Sequence, residues 1–146
     1  MREILFRGKS IEDNKWVYGD LIREKKSFGE ICTRIYRTTN NGRELIDVDS
    51  ETVGQYTGLN DKNDNKIFEG DIAKLRRFDN FYIGRIVFNK KTAGFEFWWN
   101  TIVGVYGEMA THRVNLSVCD EIEIISNMRD NSEFLKRVSE WNAYKK

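Results

Sequence analysis

Lys74, Arg76, Arg77 and Arg85 interleave with Phe78, Phe81 and Tyr82 in one short stretch of the chain. Cations that meet phosphates beside aromatic faces that stack bases are how a small β-structure can hold single-stranded DNA or RNA. The same residues have a plainer reading, in which Phe81, Ile83 and the alternate members of that strand pack inward and the charges are solvated. Lys74, Arg76, Arg77, Tyr82 and Arg85 are the candidate nucleic-acid contacts.

A second group is apolar. Trp98 and Trp99 are adjacent, and neighbouring strand residues face opposite sides, so a tryptophan that enters the core forces the other outward. An outward tryptophan is either covered by another element or part of an interface. With Ile102, Val103 and Tyr106 close behind, Trp98 and Trp99 form the candidate surface for self-association or for a protein partner.

Other chemistry is thinner. Asp61-x-Asn63-x-Asn65 resembles the start of a calcium loop, but Lys66 stands where such a loop needs glycine and Ile72 where it needs a bidentate glutamate. His112 is the only histidine, and no second His or Cys lies near it. Cys32 and Cys119 are far apart and read as buried reduced thiols. Glu69 and Asp71 flank Gly70, yet no phosphate-binding loop, dinucleotide fingerprint or nucleophile elbow accompanies them. No catalytic residue, cofactor or metal is expected.

The elements that must position these residues are short strands. Residues 2–7 and 16–23 are rich in strand formers and are joined by the turn Glu12-Asp13-Asn14-Lys15, which predicts a hairpin. Ile31 to Arg37 alternates, Asn40-Asn41-Gly42 turns the chain, and Leu45 to Val48 returns it. Residues 57–66 hold little that is apolar except Leu59 and read as a surface loop or hairpin tip. Strands are expected from Gly70 to Leu75, Phe81 to Phe88, Phe95 to Trp99 and Glu121 to Ile125. Only the tail reads as a helix: Asp130, Asn131 or Ser132 can cap it, and Phe134, Val138 and Trp141 share one face. A repeated Gly-Asp-aliphatic-x-basic pattern at Gly19 and Gly70 suggests a turn feeding a strand.

The composition bounds what these elements can do. The 146 residues suit one domain with its own core, and the absence of proline leaves every corner to Gly, Asn, Asp or Ser. The 24 basic and 23 acidic residues give a net charge of +1, so any charged recognition surface must be local. No apolar run is long enough to span a membrane, and the first residues lack a signal-peptide core, which makes the cytoplasm the expected location.

The segment from Thr52 to Asn63, followed by Ile67-Phe68-Glu69-Gly70-Asp71-Ile72, closely resembles the YopX family of phage and prophage proteins. Arg2 to Lys9, Trp16-Val17-Tyr18-Gly19, Gly84-Arg85-Ile86-Val87-Phe88, and Ile122 to Asn127 with Asp130 to Leu135 are similar to other parts of the family pattern. Ser126 and Ser132 depart from it, standing where the family usually has glycine and proline. The resemblance implies a mainly β fold: a small SH3-like barrel with additional N-terminal strands and a C-terminal α-helix, of phage or prophage origin and acting in a bacterial cytoplasm. One domain over residues 1–146 is expected, with N-terminal strands in 1–56, a turn-rich loop in 57–70, barrel strands in 71–127 and the helix in 130–144. The function expected is that of a non-enzymatic protein-interaction module, homo-oligomeric or bound to a host or phage protein. Binding of single-stranded nucleic acid is the alternative, and no membrane role is expected.

Overall fold

The computed structural model describes residues 1–103, 105–119, 121–131, 133, 134 and 137. Its elements are strands β1 (Phe6–Lys9), β2 (Trp16–Lys25), β3 (Ile31–Thr39), β4 (Gly42–Asp47), β5 (Gly54–Asn60), β6 (Lys66–Phe68), β7 (Asp71–Arg77), β8 (Asn80–Asn89), β9 (Gly94–Val103), β10 (Glu108–Asn115) and β11 (Glu121–Asn127). Short 3-10 turns lie at Ser50–Thr52 and Leu116–Val118. Two antiparallel sheets result, in the orders β4-β3-β2-β1-β5-β6 and β10-β9-β8-β7-β11. The chain divides into two compact units, Met1–Gly58 and Leu59–Lys146.

In the first unit, β1 and β2 form the expected hairpin, with Asn14 supplying a positive φ at the turn. Its core is Val17, Ile35 and Val48, against which Phe6, Leu21 and Ile46 pack. Leu21, Ile35 and Ile46 are register partners on three neighbouring strands, which explains why alternate positions of β2, β3 and β4 are apolar. Gly19 sits mid-strand where a Cβ would collide with the Tyr36 carbonyl oxygen.

In the second unit, Ala73, Leu75, Ile86, Phe97, Trp99 and Ile122 share one face of the five-stranded sheet, and Ile67 and Leu116 pack into the same core. Each such fully buried large side chain contributes about 1.5–3 kcal/mol. Gly70 has φ 85°, and the carboxylate of Asp71 accepts a 2.7 Å hydrogen bond from the Phe68 amide across that turn. Gly70 thus feeds a strand as its sequence suggests. Gly19, despite the same motif, lies inside one.

Two expectations change, and a third lies largely outside the described residues. The SH3-like barrel is not formed: β11 enters beside β7 rather than β10, with a bulge between Ile124 and Ser126, so the sheet stays open at both outer strands. The C-terminal helix expected over 130–144 lies for the most part outside the described residues. Strand β10 has no counterpart in the sequence reading. It is an edge strand whose apolar residues are few. No helix among the described residues is long and apolar enough to cross a membrane.

Candidate functional site

Strand parity sorts the basic and aromatic residues of β7 and β8. Lys74 and Arg76 alternate with Ala73 and Leu75, which are in the core, so these two cations face away from it. On β8, Phe81, Ile83 and Arg85 share that outer face, because Arg76 pairs with Phe81, Lys74 with Ile83 and Ile72 with Arg85, so the inward packing expected of Phe81 and Ile83 is reversed. Tyr82 pairs with Leu75 and turns inward, its ring 5.1 Å from that of Trp99. Arg77, one residue beyond Arg76, belongs to the inner side. The five candidate contacts therefore divide: Lys74, Arg76 and Arg85 lie together, and Arg77 and Tyr82 do not join them.

The paired tryptophans divide as expected. Trp99 is in the core, between Phe97 at 5.6 Å and the His112 ring stacked at 5.3 Å. That stack, with a 2.7 Å contact between Thr101 Oγ1 and His112 Nε2, gives the lone histidine its place. Trp98 is half-buried on the outer face, and its Nε1 donates to Glu96 Oε2 at 2.7 Å. Glu96 is buried and also accepts from Asn89 Nδ2 and Thr92 Oγ1. Burial pushes its carboxyl up, but the donors Trp98, Asn89 and Thr92, with the charge of Arg113, outweigh this and hold it below the ordinary value.

Of the remaining apolar candidates, Val103 is half-buried and Tyr106 is 92% exposed. Ile102 pairs with Met109, one pair in from the Val103–Glu108 end of the β9–β10 ladder. Val105 is 96% exposed, and Phe78, at the β7–β8 turn, is 85% exposed with φ 54°. Strand β8 runs antiparallel to both β7 and β9, so the turns after Arg77 and after Val103 lie at the same end of the sheet. Val105 lies within the apolar 102–106 segment that the sequence singles out, whereas Phe78 is not among the sequence candidates for the interface. For Phe78 the signal available was its position in a turn, where a large apolar side chain has no core to reach.

The calcium-like segment is occupied by its own backbone. Asp61 Oδ1 accepts from the amides of Asn63 and Asn65, both at 2.9 Å, and Oδ2 accepts from Asn65 Nδ2 at 3.2 Å and from the Ile124 amide at 3.0 Å. Among the described residues no group of His, Cys, Asp and Glu is arranged to hold a metal ion.

In the first unit, a cavity of about 620 Å³ is lined by Cys32, Thr33, Asp47 and Ser50, among others. Cys32 Sγ lies 3.4 Å from Asp47 Oδ1, and Arg34 bridges Asp47 at 2.7 Å and Glu24 at 3.0 Å. The Arg34 guanidinium, with the Cys32 thiol, holds the Asp47 carboxyl below its usual range. Both cysteines are free and only half-buried, where burial was expected.

Comparison with known proteins gives a family and a likeness to solved structures. A crystal structure of protein EF1440 from Enterococcus faecalis is similar at a TM-score of 0.48 and 18% identity, covering 92% of this chain and 99% of that one. No curated protein matches the chain. The family described as YopX protein matches residues 5–136, through both units, and the chain accordingly belongs to the YopX family.

Proposed function

We propose that this protein is a non-enzymatic interaction module of a phage or prophage, working in the bacterial cytoplasm through the sheet end that carries Phe78, Val105 and Tyr106. The occupant is a protein with an apolar pocket, into which exposed aromatic side chains insert as anchors. The observation that carries this reading is Phe78. A left-handed backbone conformation costs a large side chain about 1–2 kcal/mol, and packing that would repay it is missing at 85% exposure. Strain without a packing return is the pattern of a residue kept for contact with something else.

Phe78→Gly separates stability from binding. Glycine takes a positive φ freely, so the variant is expected to be as stable as wild type or more so, by up to about 1 kcal/mol. It is also expected to lose the partner. The measurement pairs thermal melts with capture from host lysate on three baits: wild type, Phe78→Gly and Tyr106→Ser. A protein retained by wild type and absent from both variants supports the reading. Identical capture on all three baits removes it. Sedimentation of wild type alone decides whether the partner is a second copy.

A further inference from the structure

The outer face of the five-stranded sheet carries a second arrangement, separate from the hairpin turns. Arg85, Trp98 and Arg113 are register partners across β8, β9 and β10, so their side chains stand in one row opposite the core. On the same face, Lys74 Nζ lies 4.2 Å from the centre of the Phe81 ring. The Arg85 guanidinium lies 6.0 Å from the centre of the Trp98 ring. The indole is held in position by its hydrogen bond to Glu96, which Asn89 and Thr92 fix in turn.

The carboxylates of this face are already engaged. Glu121 pairs with Arg76 at 3.3 Å, Glu123 pairs with Lys62 at 2.6 Å, and Glu96 is buried under its donors. Among the described residues Lys74, Arg85 and Arg113 form no ion pair. Arg113 acts on the Glu96 carboxylate through its charge, and Lys74 and Arg85 have no such partner, so the face holds positive charge in excess of its carboxylates around two aromatic rings, although the whole chain is almost neutral.

We propose that this face binds single-stranded nucleic acid, with bases stacking on Trp98 and Phe81 and phosphates meeting Lys74, Arg85 and Arg113. Stacking selects for the single strand, because a duplex keeps its base faces closed to side chains. An acidic peptide would answer the cations and leave the rings without a role. Arg113 and Trp98 join the site through the β8–β9–β10 register, and Arg77 and Tyr82 leave it.

The test is fluorescence anisotropy of a labelled oligothymidylate and a labelled oligouridylate with the full chain at low salt. Saturable binding is expected, falling with salt at a log–log slope of about −2, from roughly 0.7 ions released for each of three phosphates. Arg85→Glu with Arg113→Glu is expected to abolish it; both side chains are exposed, circular dichroism checks that folding survives a reversed charge beside Glu96, and Arg85→Glu alone, which leaves Arg113 in place, is expected to weaken binding. Trp98→Ala is expected to weaken binding about tenfold. Because that variant also releases Glu96, Phe81→Ser provides an independent loss of stacking at a more exposed ring. Phe78→Gly should bind as wild type does, which separates this face from the hairpin turns. Absence of binding at low salt overturns the proposal, as does binding that survives the double charge reversal. Equal affinity for heparin and the oligonucleotides, with no effect of Trp98→Ala or Phe81→Ser, would instead make the face a polyanion or acidic-protein surface.

Discussion

Asp61→Ala is expected to destabilise the protein by about 3 kcal/mol and to lower its melting temperature by roughly 10 °C. The carboxylate is only 7% exposed and collects four hydrogen bonds. Three of them close the turn between β5 and β6. The fourth, from the Ile124 amide, ties that turn to β11 at a distance of 63 residues in sequence. Removing the carboxylate leaves partly buried amides without acceptors, which costs more than the hydrogen bonds themselves contribute. The same site sets an acid limit. Burial raises the Asp61 carboxyl pKa, but the Ile124, Asn65 and Asn63 donors outweigh this and lower it below the ordinary 3.8. A carboxyl whose folded pKa is depressed contributes stability above its unfolded pKa and loses it as pH falls through the folded value. Wild type should therefore lose stability below about pH 4, and Asp61→Asn should lose less over the same range. Chemical denaturation at stepped pH measures both. An Asp61→Ala variant that melts with wild type would mean that the turn is held by something other than this carboxylate.

Residues 57–66 read as a surface loop or hairpin tip, but β5 runs to Asn60 and β6 starts at Lys66, so the turn is confined to 61–65, and its anchor has no local signal. Local spacing can reveal that Asp61, Asn63 and Asn65 favour a turn. It cannot reveal an amide on β11, since that contact exists only once β11 has paired with β7. The same limit explains the other differences. Alternation within a strand is visible in sequence, so Trp98 and Trp99 were bound to face opposite sides, and Phe81 and Arg85 could have been separated from Tyr82 by parity alone. Which residues of β7 join Phe81 and Arg85 depends on the two-residue Phe78-Asp79 turn that sets Arg77 opposite Asn80. A phenylalanine at positive φ is a poor advertisement for such a turn. Strand β10 escaped notice because Met109, Ala110 and Val114 are its only apolar residues, and its place is decided by pairing with β9. Arg113, which completes the row with Arg85 and Trp98, was hidden with it.

Gly84→Ala is expected to be at least as damaging as loss of Asp61, at about 3–5 kcal/mol, for a reason of shape rather than charge. Gly84 lies in β8 between Ile83 and Arg85, in the Gly84 to Phe88 segment that resembles the family pattern. A Cβ there would run into the carbonyl oxygen of Trp98 and would stand 2.9 Å from Cζ of Phe97. The carbonyl belongs to the β9 backbone and cannot move aside as a side chain can. Phe97 is fully buried, so its ring has no free volume into which to turn. The methyl group must therefore push β8 and β9 apart at the point where the Arg85–Trp98 register begins. Gly94→Ala is the control, since a Cβ there would find its nearest atom at 3.8 Å, in ordinary van der Waals contact. It should fall within about 0.5 kcal/mol of wild type. If the two variants had equal denaturation midpoints, the close approach of β8 to β9 would not be a constraint on this sequence. If only Gly84→Ala fails, the glycine is a requirement of the register that brings Arg85, Trp98 and Arg113 into line, and loss of oligonucleotide binding by that variant would follow from loss of the sheet.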